Sequence, residues 1–101
     1  MLDSRHGQTT RPPLLVGERA VWLGSGSGLP QGGYVRWVGK LQGMGPGWTV
    51  GLELDHALPY GGIDGSWCGR QLFQCRTKHG LLVPASVVVK EDALLRTFGE
   101  S

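Results

Sequence analysis

"GGIDGSWCGRQLFQC", Gly61–Cys75, places four glycines and one acid among fifteen residues and then becomes an alternating run. Glycine at that density belongs where the backbone takes a positive φ or passes close to another segment. The stretch is therefore a turn, a phosphate cradle or a ligand-binding loop. Its second half, Arg70–Cys75, sets Leu72 on one face and Phe73 and Cys75 on the other, which is the period of a strand. A glycine-rich loop feeding a β-strand is the reading that fits both halves.

Working outward, "ERAVWL" (Glu18–Leu23) alternates, with Ala20 and Trp22 on one face and Val21 and Leu23 on the other. The composition of Gly24–Gly33 predicts a long hairpin loop. Tyr34–Leu41 reads as a strand with Tyr34, Arg36 and Val38 on one face and Val35, Trp37 and Gly39 on the other. "GMGPG" (Gly43–Gly47) breaks the chain, and Thr49–Asp55 is a third strand with Val50, Leu52 and Leu54 sharing a face. Downstream, "TKHG" (Thr77–Gly80) turns, and Leu81–Val89 supplies two short strands interrupted at Pro84. Residues 1–13 form a flexible leader, 14–90 the folded domain, and 91–101 a tail or short helix. Short strands joined by glycine turns predict a mostly β fold: a small, strongly bent antiparallel β-barrel-like sheet with long glycine-rich loops.

With 101 residues the chain builds one core. Its ten basic and eight acidic side chains are scattered, so no basic patch points to nucleic acid as a partner. No apolar stretch approaches the ~20 residues of a membrane span, so no membrane partner is expected. The opening residues lack the apolar core of a secretory signal, and a cytoplasmic location is the expectation.

Candidate chemistry is sparse. Cys68 is the thiol nearest the glycine cluster, with His56 and His79 as distant bases, and no catalytic spacing joins them. A non-enzymatic role is expected, with a Cys68 thiol enzyme as the rival of another class. Cys68, Cys75 and His79 lack the paired spacing of structural zinc, and "GSGSG" lacks the Lys and Ser/Thr of a phosphate loop, so neither metal nor cofactor is expected. Four tryptophans are more telling: Trp22 and Trp37 read as core, while Trp48 and Trp67, beside glycine-rich loops, read as groove walls.

From Gly17 onward the chain resembles a CAP-Gly domain. "VGERAVW", "GGYVRWVG", "PGWTVGLELD", "GGIDGSWCGRQLFQC" and "KHGLLVPASVV" occur in the family's order. The resemblance implies turn or close-packing roles for Gly61, Gly65 and Gly69, a loop tied by Asp64, core positions for Phe73 and Cys75, and a chain reversal at Gly80. Family members bind acidic C-terminal tails ending in an aromatic, as in tubulin and end-binding proteins, through a Gly-Lys-Asn-Asp-Gly loop. Here Gly62 and Ile63 replace the lysine and asparagine. The family's groove tryptophan aligns with Thr49, Trp48 standing one residue early; Leu82 and Pro84 occupy an aromatic and a basic position; and "HALPY" (His56–Tyr60) lengthens the preceding loop.

The chain is thus expected to be a non-catalytic protein-interaction module of a cytoskeleton-associated or signalling scaffold. Its peptide site lies beside the GGIDG loop, formed by Trp48, Thr49, Gly62, Ile63, Asp64, Trp67 and Leu82. Without a carboxylate clamp, a proline-containing or hydrophobic internal segment is the expected ligand. The alternative is the family's recognition of acidic-aromatic tails at microtubules.

Overall fold

In a computed structural model, residues 11–24 and 29–94 are described. The strands are β1 (Arg19–Trp22), β2 (Gln31–Gly39), β3 (Thr49–Leu54), β4 (Ser66–Trp67), β5 (Arg70–Gln71), β6 (Gly80–Pro84) and β7 (Val88–Lys90). A 3-10 turn, Ala85–Val87, joins the last two. Residues 91–94 are helical; most of the leader, residues 25–28 of the hairpin loop and the rest of the tail lie outside the described residues.

Five strands form one antiparallel sheet in the order β6-β3-β2-β1-β7, and β4 and β5 pair in a small hairpin. In a flat sheet β6 and β7, four spacings apart, would be separated by about 19 Å. The chain from Pro84 to Val88 spans at most about 14 Å even when extended. The sheet is therefore bent until its two edges approach, the barrel-like curvature expected of the domain.

Val50, Leu52 and Leu54 share the inner face of β3, as their alternation requires, and pack with Leu14, Ala20, Val35, Val83 and Val88. β3 is buried along its whole length. A second layer covers its other face, where the Phe73 ring and Trp37 Cβ lie against Gly51. Glu53 on that face accepts hydrogen bonds from Arg36 Nε at 3.1 Å, Arg76 Nε at 3.0 Å and the Arg76 backbone N–H at 3.0 Å.

Three local expectations change. β2 starts at Gln31, so the end of the predicted hairpin loop is already strand, with Gly33 opposite Ala20. A β-bulge shifts the register between Val35 and Trp37. The extra residue turns Val35 and Val38 to the same inner face and sends Trp37 to the outer one, outside the main core cluster. Lastly, Arg70–Cys75 is strand only at Arg70–Gln71. Beyond it the segment is held by single contacts: the Leu72 and Phe73 N–H groups donate to the Gly65 carbonyl, and Arg76 to Glu53.

Candidate functional site

The loop Gly61–Gly65 is tied from Ile63 onward. Ile63 and Gly80 exchange both backbone hydrogen bonds, each 2.9 Å, which fastens the loop to the outer edge of β6. Asp64 Oδ1 accepts from the Ser66 hydroxyl at 2.7 Å and the Ser66 N–H at 3.2 Å. Those bonds, the hydroxyl's foremost, hold the Asp64 carboxyl below the usual carboxylate range. Gly65 has φ +98°, and a Cβ there would run into the Phe73 carbonyl, so only glycine fits. Asp64 and Gly65 thus build the loop's shape.

Gly62 has an ordinary φ but no room. A Cβ at this position would stand 2.8 Å from Lys78 Cα and closer still to its carbonyl. The same carbonyl accepts the Leu58 N–H at 2.9 Å. The chain reversal falls at Lys78, whose φ is +70°, and not at Gly80. Gly80 serves close approach instead, with Ile63 O and Cys75 Sγ where its Cβ would be.

The expected site residues do not converge on one surface. Ile63 is bridged to Gly80, Leu82 stands opposite Gly51, and the Trp48 carbonyl accepts the Ala85 N–H at 2.9 Å. Ile63, Leu82 and Trp48 therefore fall along the flanks of β6 and its following turn, over about 17 Å of chain. All three are half-buried. Lys40 Nζ lies 4.9 Å from the centre of the Trp48 ring. Thr49, between Gly39 and Pro84, is 0% exposed and presents no surface. Trp67 instead lines a separate open depression of about 380 Å³ with Leu41, Gln42, Cys68, Arg70 and Leu72.

Cys68 is exposed and Cys75 half-buried, and neither forms a disulfide. Burial raises the Cys75 thiol above its usual pKa, which keeps it protonated. His79 Nδ1 is 2.8 Å from the Leu54 carbonyl. Among the described residues no three His, Cys, Asp or Glu side chains converge as metal ligands.

Sequence reasoning missed Glu53 and Lys78 as organisers, though it singled out "HALPY" as a longer loop. A carboxylate in the middle of the apolar Val50–Leu54 run was the available signal for Glu53. Nothing local marks Lys78, because its importance lies in the loop that packs on its backbone. Leu58 of "HALPY" packs on the core, and Tyr60 is 89% exposed.

Comparison with known proteins agrees with this architecture. A family model described as CAP-Gly domain matches residues 16–88. The chain is 37% identical over 94 residues to CAP-Gly domain-containing linker protein 3 of Pongo abelii, covering 93% of this chain and 16% of that protein. It is 44% identical over 79 residues to Kinesin-like protein KIF13B of Homo sapiens, covering 74% of this chain and 4% of that one. Tubulin-folding cofactor B of Bos taurus is 40% identical over 63 residues, covering 62% of this chain and 25% of the relative. The chain spans a quarter or less of the length of each of these relatives. With the bent antiparallel sheet, the tied glycine loop and the family match over most of its length, this chain belongs to the CAP-Gly domain family.

Proposed function

We propose that this domain is a non-catalytic peptide-binding module that takes a hydrophobic internal segment along β6, beside the Gly61–Gly65 loop. The contact between Gly62 and the Lys78 backbone carries the reading, because it leaves no space for a lysine side chain where the family resemblance would put one. At the next position, Ile63 offers an apolar side chain in place of an amide. Losing two donors to a carboxylate, each worth ~1.5–3 kcal/mol, removes ~3–6 kcal/mol of the about 8 kcal/mol that a micromolar complex needs. Ile63, Leu82 and Trp48 supply apolar contact instead.

The setting we infer is cytoplasmic and cytoskeletal, supported by the names of the linker protein, the kinesin-like protein and the tubulin-folding cofactor. Lys40 over the Trp48 ring favours a second reading, acidic-aromatic tail recognition, since its ammonium lies beside the same row of residues.

Titration of the 15N-labelled domain with a hydrophobic internal peptide and with a peptide ending in Glu-Glu-Tyr separates the two. Shifts at Trp48, Ile63 and Leu82 with the first peptide are expected. Tight binding of the acidic peptide that Ile63→Asn does not improve overturns the proposal. A flat response to both peptides overturns it as well.

A further inference from the structure

β6 is an edge strand: β3 pairs with one side of it, and its other side ends the sheet. Residues of an antiparallel ladder turn their N–H and C=O to the two sides alternately. Two bonds fix the phase of that alternation in β6. The His79 carbonyl accepts the Leu54 N–H at 2.8 Å, and the Trp48 carbonyl accepts the Ala85 N–H at 2.9 Å. Between them Leu81 stands opposite Leu52 and Val83 opposite Val50. The odd-numbered residues therefore bond to β3, and Gly80 and Leu82 turn their backbone groups outward. Gly80 uses both of its groups, exchanging the pair of bonds with Ile63.

Leu82 is the next outward-facing residue, about 7 Å along the strand. Among the described residues no backbone hydrogen bond from a loop reaches its N–H or its carbonyl. The loop that covers Gly80 does not continue along the edge, because Gly62 packs on the backbone of Lys78 and not on that of Leu81. On the far side Pro84 has no N–H and leads into the 3-10 turn. The stretch between Ile63 and Pro84 thus leaves one donor and one acceptor on Leu82, a template for a further strand. A helix has its own N–H and C=O groups paired internally, and a proline has no N–H to give, so neither satisfies both. An extended, non-proline residue does.

We propose that Leu82 is the backbone anchor of the peptide row along β6: an extended apolar segment of a partner protein adds there as a short antiparallel strand, one of its residues exchanging both hydrogen bonds with Leu82 as Ile63 does with Gly80. This rests on the reading of β6 as the peptide site and names the form and chemistry of its ligand. Directly paired residues share a face, so the anchor residue's side chain lies beside Leu82, in line with Ile63, and is apolar. Its two neighbours point to the opposite face. Proline is admitted only at positions whose nitrogen points away from β6.

The test uses the 15N-labelled domain and a blocked seven-residue peptide, Thr-Ser-Val-Thr-Ile-Ser-Thr, with variants each N-methylated at one backbone position. With the parent peptide, shifts at Trp48, Ile63 and Leu82 and slowed exchange of the Leu82 amide are expected. N-methylation at one of the two apolar residues is expected to weaken binding about tenfold, and at the threonine between them by about twofold or less. Shifts at those three residues with equal affinity for every N-methylated peptide overturn strand addition and leave the peptide row standing. No shifts with the parent peptide at millimolar concentration overturn both. A Leu82 amide whose exchange slows with domain concentration in the absence of peptide marks a second copy as the occupant and overturns the partner strand.

Discussion

The backbone of Lys78 closes over the α-carbon of Gly62, so that a Cβ built there lies 2.8 Å from Lys78 Cα. Two segments sixteen residues apart thus decide which side chain position 62 can hold. Even alanine intrudes. Gly62→Ala and Gly62→Lys are both expected to lower stability by about 1–3 kcal/mol through overpacking, and Gly62→Lys to leave binding of a Glu-Glu-Tyr peptide unrestored. Urea denaturation and peptide titration check this. A Gly62→Lys variant with an unchanged urea midpoint and new affinity for the acidic peptide would show that the loop can open.

Glu53 links the second layer to β3, and its carboxyl is lowered from 4.5 to about 2, chiefly by the Arg76 backbone N–H and then by the Arg76 and Arg36 side chains. Because the folded pKa lies below the unfolded one, the unfolded chain binds the proton more readily. The stabilisation is complete above about pH 4.5 and is lost as pH falls towards 2. Arg76 and Arg36 are partly solvent-exposed, so its size is of order 1–3 kcal/mol. Asp55, lowered by Arg19, acts in the same direction. Urea midpoints between pH 7 and pH 2.5 should fall less steeply for Glu53→Gln than for the parent. Parallel slopes would remove Glu53 from this role.

Thr49 is fully buried, and its Oγ1 has no hydrogen-bond partner among the described residues. A buried hydroxyl without a partner costs about 1–3 kcal/mol, and valine keeps the branched shape. Thr49→Val is expected to raise stability by about 1 kcal/mol, measured by thermal or urea unfolding. A loss of stability would mean that the hydroxyl is satisfied.

Cys68 and Gly69 have φ of 50° and 81° between the paired residues Trp67 and Arg70, the arrangement of a two-residue type I′ hairpin. Asparagine tolerates that conformation better than cysteine. Cys68→Asn is expected to gain up to about 0.5 kcal/mol and to leave peptide binding intact. Loss of the domain's activity with the fold preserved would revive a thiol role.

Much of the fold was legible because its signals are local. The alternation of Val50, Leu52 and Leu54 announces their shared face, and the positive φ angles of Gly61, Gly65 and Gly69 fall where the glycine-rich stretch asked for turns. The Arg70–Cys75 run misled for the opposite reason. Its alternation is real, but the Gly65 carbonyl takes the Leu72 and Phe73 N–H groups, so the ladder ends at Gln71. Of the expected site, Ile63, Leu82 and Trp48 fall along β6, while Trp67 belongs to another depression and Thr49 is buried.

By itself, then, the sequence determined the β class, the turn positions and the absence of a lysine and an asparagine before Asp64, since periodicity, glycine and residue identity are properties of neighbours along the chain. The bulge at Arg36, the burial of Glu53 and Thr49, the closure of Lys78 on Gly62 and the packing of Leu58 on the core were decided only by the tertiary structure. Each depends on which distant segment arrives at a given strand, and steric exclusion between segments has no signature in either one alone.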